Sequence, residues 1–216
     1  MEADSSVTKV HPGERRLRCR KRLAWFAATS GAAFFAGPVM AHDGTGLVGG
    51  FVSGFLHPLN GPDHMLAMVA VGLWGAILGR PLVVALPVVF PAMMAVGGVL
   101  GILSVPVPPV EVGIATSVFV LGAVIAAQWR PSLWAAVLLV AVFALFHGYA
   151  HGQELPSAAD PAGYSVGFVL STGLLHLLGV GIAYGIEKTA GRNTLRVLGT
   201  LIALAGAWFI VQAFVS

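Results

Sequence analysis

Charge is what this chain has least of. Only 10% of its 216 residues are Asp, Glu, Lys or Arg, whereas 57% are hydrophobic, and mean hydropathy is +0.87. A soluble domain carries roughly a quarter of its residues as charges, so this composition describes an integral membrane protein. Cysteine is nearly absent as well. Cys19 is the single one and lies in a basic N-terminal segment, so a chain processed beyond it has no disulfide and no thiolate ligand. Imidazole, carboxylate, amide and thioether are the donors left. No glycine-rich phosphate loop is present, which excludes an ATP drive within this chain. The pI of 9.4 does not signal a nucleic-acid partner, because seven of the twelve Lys and Arg residues fall in the first 22 positions. From His42 onward five basic residues face six acidic ones, with no basic patch.

The basic segment reads as a targeting signal. Residues 15–22 are a basic stretch, 23–35 an apolar one, and Val39-Met40-Ala41 places small residues at the outer and final positions of a cleavage site, the three parts of a secretory signal peptide. Residues 1–41 are therefore expected to be removed, leaving 42–216 as a transmembrane domain with His42 and Asp43 at a new N-terminus outside the cytoplasm. The alternative is an uncleaved helix over 23–40, although Gly37-Pro38 ends the run where a signal would end.

Six apolar runs follow, at 46–79, 82–103, 112–127, 133–150, 162–186 and 197–215, each near the roughly 20 residues a helix needs to cross a bilayer. The third and fourth are short unless they borrow flanking residues. Arg80, Arg130, Lys188, Arg192 and Arg196 fall at alternate connections, and Glu111, Glu154 and Asp160 at the others. Basic loops stay cytoplasmic, so the expected fold is an all-α membrane protein of six transmembrane helices in the inner membrane, with both mature ends periplasmic. Glycines four apart, at 97 and 101, 163 and 167, and 181 and 185, predict close helix packing.

The first run is interrupted by His57-Pro58-Leu59-Asn60-Gly61-Pro62-Asp63-His64. Two prolines predict that the first helix is broken or kinked between His57 and Pro62. Broken helices at membrane depth line protein-filled or wet cavities and often form ion sites in transporters. His57 and His64 are seven apart, which on a regular helix would put them on one face; Met68 continues that stripe. Asp63 is either a ligand or the group that orients the His64 ring. A second cluster, Phe146-His147-Gly148-Tyr149-Ala150-His151-Gly152-Gln153-Glu154, ends the fourth run. His147, His151 and Glu154 have the i, i+4, i+7 spacing of metal ligands on one helix face. His176 lies near mid-membrane in the fifth run.

Each residue has a plainer use. His176, near Ser171 and Thr172, also suits an interhelical hydrogen bond. Met65, Met68, Met93 and Met94 suit packing. His42 suits an exposed terminus and Glu154 a solvated loop. Four imidazoles in two clusters inside apolar runs are harder to explain structurally. Imidazole selects first-row transition metals, while calcium and magnesium want oxygen shells. Nickel, cobalt and zinc remain.

At these motifs the chain resembles the HupE/UreJ family, membrane proteins associated with nickel supply to hydrogenase or urease. The family pattern HPxxGxDH, then a methionine and a glycine at four-residue steps, is matched by His57, Pro58, Gly61, Asp63, His64, Met68 and Gly72. The pattern FHGxAHGxE is matched by Phe146, His147, Gly148, Ala150, His151, Gly152 and Glu154. The resemblance implies a permease or facilitator that moves Ni²⁺ or Co²⁺ from periplasm to cytoplasm, not an enzyme and without a permanently bound cofactor, with the matched His, Asp and Glu residues handling the metal. The nickel-cobalt permeases, with a related His and Asp-His element at a spacing one residue shorter, are a more distant likeness. His42 and Asp43 would attract the ion at the mouth and His176 would be the next station inward. Two rivals remain open: a membrane-embedded zinc hydrolase, whose ligands would form one tight cluster, and a metal sensor or chaperone that binds without conducting.

Overall fold

The structure, a computed structural model, describes residues 47–154 and 160–215. The segment read as a signal peptide, together with His42 and Asp43, lies outside the described residues. Seven helices follow in order: α1 (Leu47–Asn60), α2 (Pro62–Leu78), α3 (Leu82–Ile102), α4 (Val110–Ala127), α5 (Leu133–Glu154), α6 (Pro161–Thr189) and α7 (Arg192–Val215). There is no strand among the described residues. Helices α3 to α7 are each long and apolar enough to cross a membrane, and α1 with α2 makes a bent sixth candidate. This is a multi-pass membrane protein.

The break between α1 and α2 measures 82°, and its position follows from proline chemistry. Pro58 sits inside α1, and Pro62 is the first residue of α2, where a missing N–H costs nothing. A residue before proline is pushed out of helical geometry, and Gly61 is extended at φ −94°, ψ 105°. Pro62 therefore ends one helix and starts the next. His57 and His64 consequently do not share a face of one regular helix; they approach from two directions. Both halves nonetheless run along α6 in one sense, since Gly50 meets Asp160, Gly54 meets Tyr164 and Gly72 meets His176. That advancing register is what a broken span produces and a hairpin turning back does not.

Helix α2 is the centre. Ala67, Met68, Ala70, Val71, Leu73 and Trp74 are all fully buried, and α2 packs against α3, α4 and α6. Glycines set the closest approaches. A Cβ on Gly72 would fall on the carbonyl oxygen of His176, and one on Gly179 on that of Val69; Gly97 and Gly101 meet α5, Gly148 and Gly152 meet α3, and Gly122 and Gly199 join α4 to α7. Close backbone contact through glycine is how helices associate where lipid supplies no hydrophobic drive. Gly97, Gly101 and Gly167 take part as the spacing predicts, whereas Gly181 and Gly185 have nothing within 4 Å among the described residues, so that pair joins none of the seven described helices. Helix α5 runs four residues past the apolar run, to Glu154, and so carries the whole second cluster. Asp160 caps α6, its Oδ1 accepting from the backbone N–H of Ala162 at 3.1 Å and Gly163 at 3.3 Å, ahead of Pro161.

Candidate metal centre

The imidazoles form a ladder. His151 of α5 has His57 of α1 on one side, ring centroids 4.8 Å apart, and His64 of α2 on the other, also at 4.8 Å. His64 in turn meets His147 of α5 at 4.8 Å. The 82° bend makes this possible, because it folds the last turn of α1 and the first of α2 around one side chain of α5. Exposure is highest at the outer end and lost at the inner one, with the two middle rings nearly equal. The Glu154 and His57 side chains are 53% and 33% exposed and those of His151 and His64 9% and 14%, while His147 and His176 are fully buried.

Hydrogen bonds decide which nitrogens are available. His57 Nε2 donates to Glu154 Oε2 at 3.0 Å. His64 Nδ1 donates to Asp63 Oδ1 at 3.0 Å, and the same oxygen accepts the His64 backbone N–H at 2.8 Å. A carboxylate can only accept, so His64 Nε2 carries the lone pair, and that atom is buried without a partner. Asp63 thus stands where a group orienting a ligating ring stands. On α4, the Ser117 hydroxyl donates to the Ile114 carbonyl at 2.6 Å and lies 2.9 Å from His147 Nε2. Its one proton is spent on Ile114, so His147 Nε2 must donate and Nδ1 keeps the lone pair; Nδ1 is also buried without a hydrogen-bond partner, as is His151 Nε2, while His151 Nδ1 lies 3.7 Å from Glu154 Oε2. Buried nitrogens with free lone pairs cost free energy unless a donor or a cation meets them. One group of atoms, from His57, His151 and Glu154, lies within 4.8 Å mutually, close enough to hold a metal ion.

The surroundings are aromatic. His151 packs on Phe168 at 4.3 Å, and Tyr164 meets His57 at 5.7 Å. A cleft of about 290 Å³ lined by Met94, Gly98, His151, Tyr164 and Phe168 reaches His151 between α3, α5 and α6. Sequence reasoning missed Ser117, Tyr164 and Phe168. For the last two a signal existed: Tyr164, Phe168, Thr172 and His176 form an i, i+4 stripe on α6.

Residues 30–209 match the family described as HupE / UreJ protein. The chain is also 43% identical over 184 residues to Protein HupE of Rhizobium leguminosarum bv. viciae, covering 85% of this chain and 96% of that one. The chain belongs to the HupE/UreJ family. No solved structure matches it. In this HupE/UreJ chain the glycines and aromatics of the two motifs have visible work. Gly61 leaves room beside the Asp63–His64 pair, where a Cβ would lie 3.2 Å from His64 Nδ1; Gly72 seats α2 on α6; Gly148 and Gly152 seat α5 on α3; and Phe146 covers Gly113 of α4. Pro58 is buried, and Met68 lies in the apolar core.

Ser117→Ala removes the acceptor that fixes the His147 tautomer. The affinity of the purified protein for Ni²⁺ is expected to fall about tenfold, as for loss of an orienting partner. Ser117→Thr, which keeps the hydroxyl, is expected to bind as the native chain does, and calorimetric titration in detergent distinguishes the two.

Proposed function

We propose that this HupE/UreJ chain is a permease or facilitator that carries Ni²⁺, or Co²⁺, from the periplasm to the cytoplasm for insertion into hydrogenase or urease. The observation that carries this reading is the ladder: Glu154 and His57 partly exposed at one end, then His151, His64 and His147, each with a buried ring nitrogen that has no hydrogen-bond partner. An ion can exchange its waters for imidazoles in steps, none holding it with a full shell, which lets it leave as well as enter. His57, His151 and Glu154 converge within 4.8 Å, as a hydrolytic site would need, but the imidazoles continue past them through His64 to His147, and ligands extended beyond one set suit passage. His42 and Asp43 serve the mouth, after removal of 1–41, and residues 42–216 form the conducting domain. The domain lies in the inner membrane with both mature termini periplasmic, following the placement of Arg80, Arg130, Lys188, Arg192 and Arg196. The ion is cargo, no cofactor resides in the chain, and no chemical conversion is catalysed. Membrane potential suffices as a drive: about 2.3 kcal/mol per charge per 100 mV gives a divalent ion roughly three orders of magnitude of accumulation.

The test is uptake of radioactive nickel at nanomolar concentration by nickel-limited cells with and without the protein. Accumulation above that of cells lacking the chain is expected. Equal accumulation overturns the permease reading, and purified protein that then cleaves a substrate with bound zinc establishes the hydrolase instead.

A further inference from the structure

The ladder does not run unbroken to His176. Between His147 and His176 stands the ring of Phe90 from α3, its centroid 5.4 Å from His147 and 5.3 Å from His176. Phe90 is fully buried. Beyond it, His176 and Thr172, one turn apart on α6 and both fully buried, have no hydrogen-bond partner for either ring nitrogen or for Thr172 Oγ1. A buried imidazole and a hydroxyl on one helix face, three polar atoms without partners, make a compartment suited to a cation that has shed water.

We infer that Phe90 is a gate dividing the outer imidazole ladder from an inner transition-metal site formed by His176 and Thr172. The inference rests on the proposed permease function and adds to it the inner site and the element that controls access. Two features assign the motion to Phe90. On the far side of His176, α2 and α6 are in backbone contact, Gly72 against the His176 carbonyl and Gly179 against that of Val69, so this wall has no space to open. On the near side, α3 carries Pro87 and Pro91 around Phe90. Each proline removes an N–H from the helix ladder, leaving the carbonyls of Val83 and Pro87 without their usual partners, and such positions are where helices bend. An apolar side chain across a polar path is a barrier to a hydrated cation until it swings aside.

The experiment compares native protein with Phe90→Ala, Phe90→Leu and Phe90→Trp. Each is purified, checked for a single species by gel filtration, titrated with Ni²⁺ in detergent and reconstituted in vesicles enclosing a nickel-sensitive dye. Outer-ladder affinity is expected to stay within about threefold of native in every folded variant, while the initial rate of Ni²⁺ entry falls about tenfold or more with Trp and rises with Leu and further with Ala, as expected of a hydrophobic constriction. The double variant T172V/H176A is expected to keep outer binding and lose entry. Entry rates that do not follow side-chain size among the folded variants overturn the gate, and native entry by T172V/H176A overturns the inner site. A native chain that binds and moves no Ni²⁺ fails at the first step and overturns the permease reading itself, a result distinct from either.

Discussion

His64→Ala is expected to reduce nickel uptake to the level of cells lacking the protein, a loss of about a hundredfold or more. Loss of a mere orienting partner already costs 10- to 100-fold in metal affinity, and His64 is placed to be more than that. Its ring contacts both His147 and His151 at 4.8 Å, so its removal parts the ladder between outer and inner imidazoles. Asp63 would lose its ring partner and keep the backbone N–H of residue 64. Asp63→Asn is the graded companion: its amide oxygen can still accept from His64 Nδ1 but without charge, and a loss of about tenfold is expected. Both are read by nickel uptake in cells with equal amounts of variant in the membrane. Half-native uptake by His64→Ala would remove the ladder from the ion's route.

Gly72→Val is expected to be the most damaging single change to the fold. Its Cβ would fall on the carbonyl oxygen of His176, and a backbone oxygen cannot rotate away. Helices α2 and α6 would have to part, along a helix whose residues from Ala67 to Trp74 include six fully buried apolar side chains. Overpacking of this kind costs roughly 1–3 kcal/mol or more, and here it also displaces His176. A lowered midpoint of thermal unfolding in detergent and a reduced membrane yield are expected. Gly181→Val is the control on α6, since none of the described residues lies within 4 Å of that position, and its yield and unfolding midpoint should match the native chain.

These two positions show what was legible in the sequence. Hydropathy located the spans to within a few residues, because a helix in lipid must be apolar throughout and its ends are marked by proline, glycine and charge. The break was visible in Pro58 and Pro62, though its centring on Gly61 follows from the conformation a residue before proline adopts. His57, Asp63, His64, His147, His151 and Glu154 stood out because imidazoles and carboxylates are costly in apolar runs. Ser117 and Phe90 were invisible for the opposite reason. Serine and phenylalanine are ordinary in a membrane helix, and only the packing of α4 and α3 against α5 brings one to His147 Nε2 and the other between two rings. Glycine spacing shares that weakness. It identifies a smooth helix face but not whether a neighbour occupies it, which is why Gly181 and Gly185 were read as a contact and Gly179, alone, makes one.

The ladder draws its rings from α1, α2 and α5, with the Ser117 support from α4 and the inner compartment from α6. A chain is made from its N-terminus and its helices settle after insertion. During synthesis, the ring pair His57 and His64 must therefore wait for α5 to supply the imidazole that sits between them, and the inner compartment for α6. A nascent or truncated chain has scattered histidines but no ladder, so in the proposed permease capture of metal is deferred until the bundle is nearly complete.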